Sequence, residues 1–198
     1  KTKMLQKLIH RLLEHRHPWR DMGFSELSEL YTSMMFRSLA LSLVGIFIPI
    51  FLYKEGVALT SIFLFFATLY GIRMFWDVLC GYVVARLGPK HSMALSYIPH
   101  AIALTMLATF GSVNWPLWMI ATLLAISTGL FFVSYNVDFS KIKHSKHGGK
   151  EIGFMLIMEK FGSMLGPITG GLIALTVGVK YSFAAAGVFF IVGMIPLF

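Results

Sequence analysis

The chain has 198 residues, 57% of them hydrophobic and only 13% charged, with a mean hydropathy of +0.74. Soluble domains average about 45–50% apolar and about 25% charged, so this composition excludes an ordinary water-soluble domain and points to a bilayer. The net charge of +8 would suit nucleic acid as a partner, but the basic residues sit at the ends of apolar segments, where membrane proteins carry them.

Cys80 is the single cysteine, so an intrachain disulfide or a cysteine-rich metal site is ruled out. His144 and His147 lack acidic partners at metal-ligand spacing. The sequence has no phosphate-cradling loop and no nucleophile elbow. No enzyme chemistry, metal or cofactor is therefore expected.

Residues 1–33 read as a cytoplasmic leader. Met4, Leu5, Leu8, Ile9, Leu12 and Leu13 share one helical face, opposite Lys3, Lys7, Arg11 and Glu14. A basic amphipathic helix of this kind lies in the headgroup plane; the competing reading is a partner-binding or disordered tail. Pro18 and Gly23 end the pattern, and no small-residue cleavage site marks a signal peptide.

Residues 34–198 form the membrane bundle. Six apolar segments, each near the ~20 residues that a spanning helix needs, are expected at Met34–Tyr53, Val57–Val84, Ser92–Phe110, Pro116–Val137, Gly153–Val177 and Tyr181–Phe198. Short links make the first and second, third and fourth, and fifth and sixth segments antiparallel neighbours. Gly45 and Pro49 predict a bend in span one. The leader and the two longer links hold twelve Lys and Arg residues, against Lys54 and Lys180 on the other side. This places both ends of the segment in the cytoplasm of a plasma-membrane protein. The last span meets Phe198 without a polar flank, as expected of a chain cut there.

Ionisable residues inside a bilayer cost about 2.5–3.5 kcal/mol each on insertion scales, so each one asks for a reason. Arg37 lies early in span one, near enough to the inner face to snorkel. Arg73 and Asp77 are four apart in span two, hence one turn apart on one face. Glu159 and Lys160 lie about two turns into span five, and Asp138 closes span four. One reading is a packing network: Arg37 with Asp77, Arg73 with Glu159, and Arg86 with Asp138. The other gives Glu159 or Asp77 a proton that moves with a transport cycle, with Arg73 and Arg37 shaping the cavity. Glu159 is the better carrier, because Arg73 holds Asp77 charged. His100, mid-way along span three, is either a proton carrier or a buried or lipid-facing packing residue.

Two glycine patterns carry more information. In span five, Gly162, Gly166 and Gly170 recur every four residues and leave a nearly bare stripe along one helix face. Such stripes let another helix approach closely in lipid. Pro167 removes a backbone donor in the middle of the stripe. The wider spacing, Gly153, Gly162, Gly166-Pro167 and Gly170-Gly171, resembles the fifth-helix motif of major facilitator superfamily antiporters at every fixed position. The turn after span two, Gly81-x-x-x-Ala85-Arg86-Leu87-Gly88-Pro89-Lys90, is similar to that superfamily's cytoplasmic motif. It matches at Gly81, Arg86, Gly88 and Lys90, and departs at Ala85 (usually Asp) and Pro89 (usually Arg).

The resemblance implies an all-α polytopic bundle, six transmembrane helices in two inverted three-helix repeats, forming the amino-terminal half of a twelve-helix transporter. It implies alternating access, with a small solute and protons as ligands. It also implies a second six-helix half, beyond Phe198 or as a separate copy, received by the glycine stripe. Arg86 with Asp138 would be the cytoplasmic latch, in which Gly81, Gly88 and Lys90 shape the turn. An efflux antiporter is the expected activity. The alternatives are an uptake symporter on the same fold and a non-transporting channel or signalling protein.

Overall fold

A computed structural model describes residues 26–143 and 148–197. The amphipathic leader, the central part of the Lys143–Lys150 link and Phe198 lie outside the described residues. Six helices account for nearly all of the rest: α1 (Glu26–Lys54), α2 (Leu59–Leu87), α3 (Pro89–Ala108), α4 (Leu117–Ile142), α5 (Gly148–Thr176) and α6 (Val179–Met194). By length and apolarity alone α1, α2 and α4 can cross a bilayer, and the shorter α6 is equally apolar over 16 residues.

The described part of the first span is already helical at Glu26, eight residues before Met34, and Leu30, Tyr31 and Met34 all pack into the core. It breaks at Ile46, between the helical stretches Glu26–Gly45 and Phe47–Lys54. Pro49 accounts for the break: it has no N–H for the Gly45 carbonyl, and its ring crowds that oxygen. Between α2 and α3 only Gly88 intervenes. Its φ of +82° with ψ of 157° is a conformation that side chains disfavour, so the chain reverses in one residue before Pro89 opens the next helix.

Helix α1 packs chiefly on α5 and then α6; α4 packs chiefly on α3 and α2; α3 meets α6. Exchanging α1–α3 for α4–α6 turns this set of neighbours into itself. Three crossings separate α1 from α4, so the two triplets run in opposite senses. This is the inverted-repeat arrangement.

The centre is apolar and aromatic, with Leu43, Leu107, Ile120, Phe131 and Phe183 almost fully buried. Helix α2 lies outside this centre. Only 11% of its most apolar stretch is buried, against 50% in α1 and α4. At one end of the bundle three turns converge. Glu55, after α1, pairs with Lys180, at the start of α6, at 3.7 Å. Both side chains lie so close to Gly111, between α3 and α4, that a Cβ there would meet Glu55 Oε2 at 2.6 Å.

Candidate functional site

The glycine stripe of α5 is buried, and the helix that receives it is α1. A Cβ on Gly162 would strike the Met35 carbonyl oxygen. On Gly166 it would strike Ser42 Oγ and lie 2.7 Å from Leu43 N; on Gly170 it would lie 2.8 Å from Leu43 O. The close approach brings Ser42 Oγ to 3.5 Å from the Gly162 carbonyl. These three are the only fully buried residues of α5. The expectation that the stripe receives a second six-helix half is corrected by this packing. The same bundle occupies it: the backbone of α1 at Met35, Leu39 and Leu43 lies directly against the stripe. Gly153 and Gly171 of the same motif have open space around them, and Pro167 sits within an unbroken helix.

Arg37 does not snorkel and does not pair with Asp77. It is 0% exposed. Its guanidinium lies 3.9 Å from the centre of the Phe131 ring and 5.3 Å from those of Tyr97 and Phe190. Such stacking favours a desolvated cation by about 2 kcal/mol. Nη2 donates to the Ser127 carbonyl at 3.4 Å and to Ser127 Oγ at 3.3 Å, while Nε and Nη1 find no partner. His100 completes the cluster. Its Nδ1 is 2.9 Å from Ser127 Oγ, its ring lies 4.0 Å from that of Phe190, and its Nε2 has no partner. The ring is buried in the helix-facing interior, not turned to lipid. Tyr97 ties this core to α6 by donating to the Gly193 carbonyl at 3.3 Å.

Arg73 and Asp77 form the ion pair that their spacing predicts, at 3.6 Å, and Arg73 also lies 5.3 Å from the Phe132 ring. The pairing of Arg73 with Glu159 is corrected by the same geometry. Glu159 pairs with its neighbour Lys160 at 3.0 Å.

Gly129 of α4 is what admits Asp77. A side chain there would collide with Asp77 Oδ1 and crowd Trp76, whose Nε1 donates to the Ile126 carbonyl at 3.2 Å. Gly129→Ala is therefore expected to push Asp77 and Trp76 off α4 and lower stability by about 1–3 kcal/mol. Thermal unfolding in detergent, beside the open-sited Gly71→Ala, checks this.

At the end of the bundle that carries the α2–α3 turn, the clasp differs from the expected Arg86–Asp138 latch. Arg86 is exposed and makes no ion pair among the described residues. Lys90 instead reaches across to the first turns of α1, 3.5 Å from Glu26 and 3.4 Å from Glu29. Asp138 is 5% exposed, with Oδ2 unpartnered among the described residues, within electrostatic reach of Lys90. Burial works against the Lys90 ammonium, but the Glu26 and Glu29 carboxylates outweigh it and raise its pKa above the ordinary 10.5. While Glu26 and Glu29 are ionised, the clasp's contribution is thus present below about pH 10.5 and lost as pH rises through the folded-state value. Partly exposed pairs contribute about 0–1 kcal/mol. Lys90→Ala should lower stability by that much in dilute buffer and by less in high salt, read from unfolding at two ionic strengths.

Ser127, Gly129 and Phe131, with Glu26 and Glu29, carry roles that sequence reasoning missed. The run Ser127-Thr128-Gly129 inside an otherwise bulky apolar span was the available signal for the first two. Helix α1's acidic first turn was the signal for the clasp.

The family model of the Major Facilitator Superfamily matches residues 30–198, the whole bundle. No curated protein matches the chain.

Proposed function

Since the chain belongs to the Major Facilitator Superfamily and is by that membership a membrane transporter, we propose that it moves a small solute by alternating access in exchange for protons, outward across the plasma membrane. Both ends of the segment then lie in the cytoplasm. A second six-helix bundle, continuous with this chain or a separate copy, completes the pathway.

The observation that carries this reading is the glycine seam. Six residues match the antiporter motif, and three of them bring α5 into backbone contact with α1. A seam this close holds the two helices as one body, which rigid rocking of a bundle requires. Arg73, Asp77 and Glu159 sit partly exposed on α2 and α5, with Lys160 exposed beside Glu159. Charges held at that depth line a pathway more readily than a lipid face. Glu159 is the proton-carrying carboxylate in this reading, with Arg73 and Asp77 shaping the cavity and the Lys90 clasp, beside Asp138, closing the cytoplasmic side.

Proteoliposomes loaded with the pH dye pyranine, held inside-acid and challenged with a panel of small solutes, test the proposal. At least one solute should dissipate the gradient faster than in protein-free vesicles, and Glu159→Gln should remove that difference. Solute flux indifferent to the gradient would refute the coupling.

A further inference from the structure

The cluster around Arg37 holds chemistry that neither the glycine seam nor the Arg73–Asp77 pair uses. A guanidinium offers five donors and no acceptor, so Ser127 Oγ must accept from Arg37 Nη2. The Ser127 hydroxyl proton is then available to His100 Nδ1, 2.9 Å away. In that arrangement His100 is a neutral acceptor with its own proton on Nε2, an atom with no partner. The other neutral tautomer would donate Nδ1–H to the second lone pair of Ser127 Oγ and leave Nε2 as the free ring nitrogen. From either tautomer, the charged imidazolium would point Nδ1–H at Ser127 and set two cations on one hydroxyl oxygen in a site closed to water, where like charges repel strongly.

From this geometry we propose that His100 is a proton-binding site which fills only when Arg37 leaves Ser127. Proton uptake and the movement of α1 away from α3 and α4 are then a single event. In the step, hydronium gives its proton to the free ring nitrogen of His100 and is left as water; the Ser127 hydroxyl turns its own proton away, and Nδ1–H donates to the Ser127 oxygen lone pair that Arg37 has vacated. No electron is transferred.

The surroundings leave Arg37 as the group that opposes this proton. Helix α1 presents Arg37, and α4 presents Ser127, with Tyr135 and Asp138 two and three turns further along. Helix α6 presents the Phe190 ring. Helix α3 itself adds Tyr97, which flanks the guanidinium, and Arg73 of α2 acts on Arg37 from beyond it. A ligand shifts a conformational equilibrium only through different affinities for the two states. A histidine that is barred from its proton in one state and free to take it in the other meets that condition. The proposal rests on the transport reading for its use, in coupling protons to the cycle.

Phenylglyoxal labelling of the whole chain in bilayers, quantified by peptide mass spectrometry, tests it. Exposed Arg86 serves as the internal reference for the reagent's own pH dependence. Between about pH 8 and about pH 5.5, the range in which histidine changes charge, the Arg37/Arg86 labelling ratio should rise at least about tenfold, the factor linked to one pH unit of protonation. In His100→Asn, which keeps a polar contact to Ser127 but does not titrate, the ratio should stay flat. A flat ratio in the wild type, or an equal rise in His100→Asn, overturns the proposal. Should that variant fail to assemble, the 15N-imidazole spectrum of the wild-type chain decides: a His100 ring still neutral at about pH 5.5 overturns it, and a doubly protonated one supports it. Neither measurement needs a transported solute. Flat labelling beside intact gradient-driven flux therefore fails this inference alone. Labelling that responds to pH with no flux for any solute fails the transport reading alone.

Discussion

Gly166→Ala is expected to destabilise the bundle strongly. The added carbon meets Ser42 Oγ and, within 2.8 Å, the backbone of Leu39 and Leu43. A serine side chain can rotate, but two backbone atoms of a packed helix cannot. Helix α5 must back away from α1 along the whole seam. Overpacking of this kind costs about 1–3 kcal/mol and occasionally more. Gly162→Ala meets the Met35 carbonyl and should behave similarly. Gly171→Ala, one residue beyond the stripe, meets nothing within 4 Å. There the better helix propensity of alanine should leave stability unchanged or raise it by up to about 1 kcal/mol. Thermal unfolding of the three variants in one detergent separates them. Equal effects at Gly166 and Gly171 would contradict the assignment of the seam to α1.

Arg37→Met is expected to separate stability from activity. The guanidinium lies wholly inside the bundle, and among the described residues two of its nitrogens are unpartnered and no carboxylate pairs with it. Desolvation of such a charge is costly, and replacing buried ions by apolar groups of similar volume is often neutral or stabilising by about 1–4 kcal/mol. Methionine fits between Tyr97, Phe131 and Phe190 and keeps sulfur–aromatic contact. The variant should unfold no earlier than the wild type and lose gradient-driven flux by about tenfold or more. A variant that is strongly destabilised, or that is stable and fully active, would show that Arg37 is held for packing alone.

How much of this was legible beforehand follows from the range of each interaction. Hydropathy is local, so the helices and their order could be read directly. The extension of α1 back to Glu26 could not, because Glu26 and Glu29 are polar residues whose partner, Lys90, lies 64 and 61 positions away in the chain. Four-residue glycine spacing defines a bare face, but it says nothing of which helix fills it; α1 does so through residues 120 or more positions away. The Arg73–Asp77 pair was legible because both residues sit on one helix. The fate of Arg37 was not, because Ser127, Phe131, Tyr97 and Phe190 come from three other helices. Ala85 stands where the superfamily's turn usually has Asp, and the Lys90 clasp is what stands at that turn.

The central claim is that α1 and α5 move together as one body, joined along a seam without side chains. Spin labels at Ile50→Cys and Leu172→Cys, both exposed positions, on a Cys80→Ala background, measure it directly by pulsed electron resonance. In bilayers at about pH 8 and about pH 5.5, the account predicts a single narrow distance that is the same in both. A distance that shifts or splits between the two conditions would mean that the seam opens during the cycle, and would contradict it.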